Sequence, residues 1–138
     1  MRWLPWLSCL LLLALGCGPA AEERISFNRD IRPILNEKCM RCHGGVKAQG
    51  GFNLLFEATA LGPTEAGRPA IVPGDHRGSE LYRRLIADDP EVRMPLDGEP
   101  LSSREIDLIS RWIDEGARWE KHWAYIPPDP SIAVPEPA

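Results

Sequence analysis

Cysteine is scarce in this chain, and where it stands excludes several classes of protein. The 138 residues contain four cysteines. Cys9 and Cys17 lie in an apolar leader, so the body of the chain keeps one close pair, Cys39 and Cys42. A disulfide framework needs a larger even set. Zinc is poorly served as well, because His76 and His122 stand apart and offer no second ligand pair. No apolar run reaches the ~20 residues that a membrane-spanning helix needs. Positive charge is not in surplus either: 16 Lys and Arg against 20 Asp and Glu leave a formal net charge of −4. That balance argues against a nucleic-acid partner. The length suits one domain.

The start reads as an export signal. Arg2 is the only charge before Glu22, and Leu4 to Leu15 is largely apolar. A small-residue zone follows at Gly16-Cys17-Gly18-Pro19-Ala20-Ala21. Two processing routes are open. Cleavage near Ala20 or Ala21 gives a signal peptide over 1–20. Alternatively, Leu13-Ala14-Leu15-Gly16-Cys17 resembles a bacterial lipoprotein box, with cleavage before Cys17 and a lipid on that residue as membrane attachment. Leu15 stands where a smaller residue is usual. Either route exports the chain, to the periplasm or to a membrane face outside the cytoplasm.

The pair that remains sits in Cys39-Met40-Arg41-Cys42-His43, a C-x-x-C-H run, which is the attachment signature of a c-type haem. The thiols add across the vinyl groups, and the adjacent histidine can then serve as proximal iron ligand. Three plainer readings compete: a local disulfide, a thioredoxin-like pair and half of a zinc site. A thioredoxin pair needs a βαβ context, and no buried strand run precedes Cys39.

The pattern around the motif is helical. Phe27, Ile31, Ile34, Leu35 and Cys39 recur on one helix face leading into it. With Asp30 as N-cap, Pro33 falls in the first turn; with Ser26 or Asn28 as cap, its ring would kink the helix. Eight of the twelve glycines lie between Gly44 and Gly78, so a long loop is expected there, with Phe52, Leu54, Leu55, Phe56 and Leu61 as apolar anchors. A short helix over 79–87 should turn Leu81, Tyr82, Leu85 and Ile86 inward. The last helix is written most fully. Ser102 and Glu105 form a capping box, Ile106, Ile109 and Ile113 repeat with Leu108 and Trp112 beside them, and Gly116 marks the stop.

A haem iron needs a sixth ligand or an open face, and four side chains come into question. Met40 is inside the attachment loop and cannot reach the opposite face. Met94, in Val92-Arg93-Met94-Pro95-Leu96, is the preferred distal ligand, since Pro95 stiffens its strap and a thioether is soft and neutral. His76 reads more simply as a loop histidine and His122 as a packing residue beside Trp119 and Trp123. If Met94 only fills the core, the iron stays five-coordinate. Arg77, Arg83, Arg84 and Arg93 either gather at the haem edge or form a solvated helix face, and the second reading is the plainer.

The order of these pieces resembles the planctomycete-type cytochrome c domain. The resemblance rests on Ile31-Arg32-Pro33-Ile34-Leu35, the C-x-x-C-H-G run and Gly50-Gly51-Phe52-Asn53-Leu54. It continues through Ile71-Val72-Pro73-Gly74-Asp75, Met94-Pro95 and Trp112-Ile113-x-x-Gly116-Ala117, and covers about Phe27 to Trp123. It implies an all-α, class I-like cytochrome c fold, with helices around one haem and long Gly-rich loops. First and last helices would pack together across a haem edge. It also implies thioethers at Cys39 and Cys42, proximal His43 and distal Met94. Leu96 departs from the family, which often has a second proline there.

Domains expected on this basis are the signal over 1–20, a cytochrome c domain over 24–123, and a proline-rich extended tail over 124–138. His122-Trp123-Ala124-Tyr125-Ile126-Pro127-Pro128 looks like the linker by which such domains join a much larger exported protein. The resulting reading is an exported one-electron carrier with one covalent haem c and a redox partner protein. No general acid, nucleophile or substrate pocket is identifiable, so the chain is not read as an enzyme. Two alternatives stay open: a five-coordinate haem sensor or peroxidase-like protein, and an electron-delivery or docking module of a larger, split or truncated protein.

Overall fold

The computed structural model describes residues 24–122, 124 and 127. The leader with Cys9 and Cys17, residue Trp123 and nearly all of the proline-rich tail lie outside the described residues. Every named element is helical, and among the described residues the only strand-like pairing is an isolated bridge between Pro63 and Pro69. The all-α class is therefore observed.

A π-helical turn, Phe27–Ile31, runs into helix α1, Arg32–Lys38. The cap is Ser26, not Asp30: the Ser26 hydroxyl accepts from the Arg29 N–H at 3.3 Å, and the Asp30 carboxylate accepts the Ser26 N–H at 2.9 Å. Pro33 still falls at the entry of α1, where its missing N–H costs little, because the widened π turn absorbs the upstream residues. A partner far along the chain supports this start. The Glu120 carboxylate accepts the N–H groups of Phe27 and Asn28, each at 3.1 Å, and the Ser26 hydroxyl at 3.2 Å. It stands where the positive end of a helix favours an anion.

Short helices follow: α2 Met40–His43, a 3₁₀ turn Gln49–Gly51, α3 Glu57–Ala60 and α4 Glu80–Leu85. In α4, Leu81 and Leu85 are buried, but Ile86 is 49% exposed. The inward assignment of Ile86 is corrected, because the helix ends at Leu85 and Ile86 leaves its geometry (φ −102°, ψ 4°). Among the loop anchors, Phe52 and Leu54 are buried while Leu55 and Phe56 are exposed. Phe52 and Leu54 alternate on extended backbone and so share the core side, but the chain bends at Leu55 and Phe56 before α3, which turns Phe56 outward.

Helix α5, Ser103–Asp114, has both halves of the capping box between Ser102 and Glu105. Its stop is a Schellman turn: the N–H of Ala117 reaches the carbonyl of Trp112 at 2.8 Å, and that of Gly116 reaches Ile113 at 2.9 Å. Gly116 has φ +100°, a conformation that glycine adopts without a Cβ penalty. Ile109, Trp112 and Ile113 are buried, and the π turn packs on α5 through Phe27. The Phe27 ring lies 5.6 Å from Trp112 and 4.3 Å from Trp119, with the Arg32 guanidinium 4.9 Å over it. Each such fully buried large apolar side chain contributes about 1.5–3 kcal/mol.

The 72–79 loop is fastened to the end of α5. Gly74 donates to the Ile113 carbonyl at 2.7 Å, and His76 meets the Asp114 carboxylate at 2.7 Å. Ser79, fully buried, accepts the Val72 N–H and donates to the Asp75 carbonyl, each at 2.8 Å. These bonds set where α4 begins.

Candidate functional site

The C-x-x-C-H run becomes the junction of α1 and α2. Cys39 ends α1, its N–H bonded to the Leu35 carbonyl at 2.9 Å, and its own carbonyl accepts from Cys42 and His43. One helical turn therefore presents both sulfurs and the imidazole. Cys39 and Cys42 are unbridged thiols. Burial, reinforced by the neighbouring Cys42, pushes the Cys39 thiol up to about 11. A thioredoxin-like pair works through a depressed thiol, so this environment is the opposite of a redox dithiol. Among the described residues no group of three His, Cys, Asp or Glu side chains is placed to hold a metal ion.

His43 Nδ1 lies 3.2 Å from the Phe52 carbonyl oxygen. A carbonyl only accepts, so Nδ1 carries the proton and Nε2 keeps its lone pair for a metal. The segments are held together by a backbone bond as well, Leu54 N–H to the His43 carbonyl at 2.7 Å. Phe52 thus orients the imidazole by its main chain while its ring lies 5.2 Å from that of His43.

Cys39, Cys42, His43 and Met94 all line one cavity of about 660 Å³, within the roughly 300–1,000 Å³ of small-molecule and cofactor sites. Phe52, Ala70, Leu81 and Leu85 form an apolar wall there. Met94 is held by its backbone, its N–H donating to the Arg84 carbonyl at 2.9 Å. Two thiols, an imidazole with one nitrogen tied, a thioether and an apolar wall around a cavity of this volume are a donor set and a space that fit a haem.

His76 does not line this cavity. Its ring nitrogen is engaged by Asp114 and its ring packs edge-on against Tyr82 at 4.6 Å. Asp114 is partly desolvated, but hydrogen bonds from the His76 side chain and backbone outweigh that and hold its carboxyl below the usual range. His122 is also outside the cavity, with Nδ1 accepting the Ala124 N–H at 3.2 Å. Of the four arginines named from the sequence, only Arg84 reaches the cavity, and it is paired with Glu80 at 3.0 Å. Arg83 is tied to the same carboxylate at 2.9 Å. The Phe52 carbonyl escaped the sequence reading because a main-chain acceptor has no side-chain signature. Arg41 and Arg68, which do line the cavity, carry no motif that marks them.

Residues 39–98 match the family model described as planctomycete cytochrome C, and such a family binds haem. The chain is also similar, at 29% identity over 128 residues, to hydrazine synthase subunit alpha of Kuenenia stuttgartiensis, covering 72% of this chain and 16% of that protein. A solved structure of Kuenenia stuttgartiensis hydrazine synthase is 26% identical, with a TM-score of 0.48 over 69% of this chain and 16% of that one. This chain therefore spans about a sixth of the curated relative's length. The expectation of a protein that is not an enzyme is overturned by that relative, in which the similar segment is part of a synthase subunit.

Proposed function

We propose, from the match of residues 39–98 to the planctomycete cytochrome C family model, that the chain carries such a domain and is a one-electron redox module serving an enzyme. It holds a single haem c through thioethers at Cys39 and Cys42, with His43 as proximal and Met94 as distal iron ligand, in a class I-like cytochrome c arrangement. The observation that carries this reading is the 3.2 Å tie between His43 Nδ1 and the Phe52 carbonyl. It frees Nε2 on the cavity that both thiols and Met94 line.

When bound, the haem supplies a ferrous/ferric couple. The chain's own residues do the rest. Cys39 and Cys42 anchor the group, and the Phe52 carbonyl fixes the imidazole tautomer of His43. The apolar wall of Phe52, Leu81 and Leu85 excludes water, and the neutral Met94 thioether adds no charge. Both conditions favour the less charged, ferrous state. The packing of the first helical turn on α5 through Phe27 and Trp112 supports the class I-like arrangement.

The catalytic part of the enzyme is a further domain or a partner protein, consistent with the small share of the relative's length that this chain spans. Export fits a covalent haem, with a signal over 1–20 and, in the lipoprotein route, a membrane-facing lipid on Cys17.

The test is a pyridine haemochrome spectrum on denatured protein, matured in a host with c-type machinery. Haem that stays with the denatured chain and shows the two-thioether band position is expected. Haem that leaves on denaturation overturns the attachment at Cys39 and Cys42.

A further inference from the structure

The cavity rim carries many carboxylates: Glu37, Glu65, Glu80, Asp97 and Glu99 all line it. A haem adds two propionates of its own, and an anionic edge beside so many acids needs a fixed cation. Four cationic side chains line the cavity: Lys38, Arg41, Arg68 and Arg84. Two are committed to carboxylates, Lys38 to Glu37 at 3.2 Å and Arg84 to Glu80 at 3.0 Å. Arg41 stands between Cys39 and Cys42, at the edge where the vinyl groups would be captured. In a haem the vinyl groups occupy two adjacent pyrroles and the propionates the other two, so Arg41 is on the wrong side.

Arg68 remains. Its guanidinium makes no hydrogen bond or ion pair with any described residue, yet its main chain is pinned. Its carbonyl accepts both the Thr64 N–H at 3.0 Å and the Thr64 hydroxyl at 2.8 Å. Two residues later the Ala70 carbonyl accepts the Leu81 N–H at 2.9 Å, which ties the turn to α4, and the Glu65 N–H reaches the Gly50 carbonyl at 3.0 Å on its other side. A guanidinium with a fixed base and an open fork suits bidentate pairing with a carboxylate.

We propose that Arg68 is the propionate-binding residue of the cavity, a cation held ready on the Thr64–Arg68 turn. The proposal rests on the haem reading above. By pairing with a propionate it keeps positive charge beside the iron and favours the ferrous state.

The experiment is a spectroelectrochemical titration of the full, matured chain with Arg68→Gln, Arg68→Lys and Arg77→Gln, each first checked for covalent haem by its haemochrome spectrum. Arg77 is a loop arginine outside the cavity and controls for net charge. Arg68→Gln should lower the ferrous-to-ferric ratio at fixed potential about threefold to tenfold, the larger figure being 59 mV for one electron. Arg68→Lys should recover much of it, and Arg77→Gln should change little. Raising salt should erase a through-solvent effect but leave most of a direct pair. Haem attached and a potential unmoved in Arg68→Gln overturns the Arg68 assignment alone. An equal shift in Arg77→Gln overturns it too, as general charge. No covalent haem in wild type overturns the haem reading and this proposal with it.

Discussion

Replacing Glu120 by alanine should loosen a helix that begins more than ninety residues earlier. The carboxylate accepts two main-chain N–H groups and one hydroxyl at the start of the π turn. Hydrogen bonds to a charged group contribute roughly 1.5–3 kcal/mol each when sheltered. Phe27 is only 2% exposed, so its N–H loses its partner where water is scarce, whereas Asn28 and Ser26 are half-buried and water can substitute in part. About 2 kcal/mol in total is therefore expected, less than the sum of separate bonds. For a domain of this size that amounts to about 8–16 °C in the thermal midpoint. Glu120→Gln keeps one carbonyl acceptor and should fall between. Far-UV circular dichroism through thermal unfolding of the matured chain measures both. A Glu120→Ala midpoint within about 2 °C of wild type, less than 0.5 kcal/mol, would refute the capping argument.

Further outcomes follow from other sites. Met94→Ala should open the distal side, so that the ferrous protein binds carbon monoxide readily where wild type does not; equal binding by both proteins would remove Met94 from the iron. Ile109→Ala, at a fully buried position, should cost about 2–5 kcal/mol in denaturant unfolding, and a loss below 1 kcal/mol would contradict the packing described. Glu105→Gln should cost about 0.5–1 kcal/mol near neutral pH. The Ser102 side chain and backbone hold the Glu105 carboxyl below its ordinary 4.5. A depressed folded value means that this stability is complete above the unfolded value and is lost as pH falls through the folded one. The gap between Glu105→Gln and wild type should thus narrow below pH 4.5, and a gap constant down to strongly acidic pH would sink the ion's role.

The most legible parts of the sequence are those whose determinants are neighbours in the chain. Helix α5 could be read nearly whole, since Ser102, Glu105, the isoleucine repeat and Gly116 lie within one stretch. The grouping of Cys39, Cys42 and His43 was equally local. The start of the first helix was not, because Ser26 wins over Asp30 with the help of Glu120, a partner that no local pattern announces. The inward reading of Ile86 failed for a related reason. Helical periodicity says nothing about where a short helix stops, and α4 ends one residue earlier. At the cavity, Met94 was chosen by its chemistry, whereas Arg68 was passed over because a lone arginine in a Gly- and Pro-rich loop resembles ordinary solvated surface. Its neighbours there become visible only when Ala70 meets α4.

The fastening of the 72–79 loop to the end of α5 has a mechanical consequence. From Ile113 the path runs through Gly74 to the buried Ser79 and α4, and from Arg84 by one main-chain bond to Met94. The imidazole side hangs instead from α1 and the extended segment at Phe52. The two sides of the cavity thus reach the same last helix by different routes, the methionine side through Gly74 on Ile113 and the histidine side through Phe27 on Trp112. A load placed on the segment after the last helix is therefore felt on both sides at once: through Ile113 and Gly74 toward Met94, and through Glu120, which holds the first helical turn, toward His43.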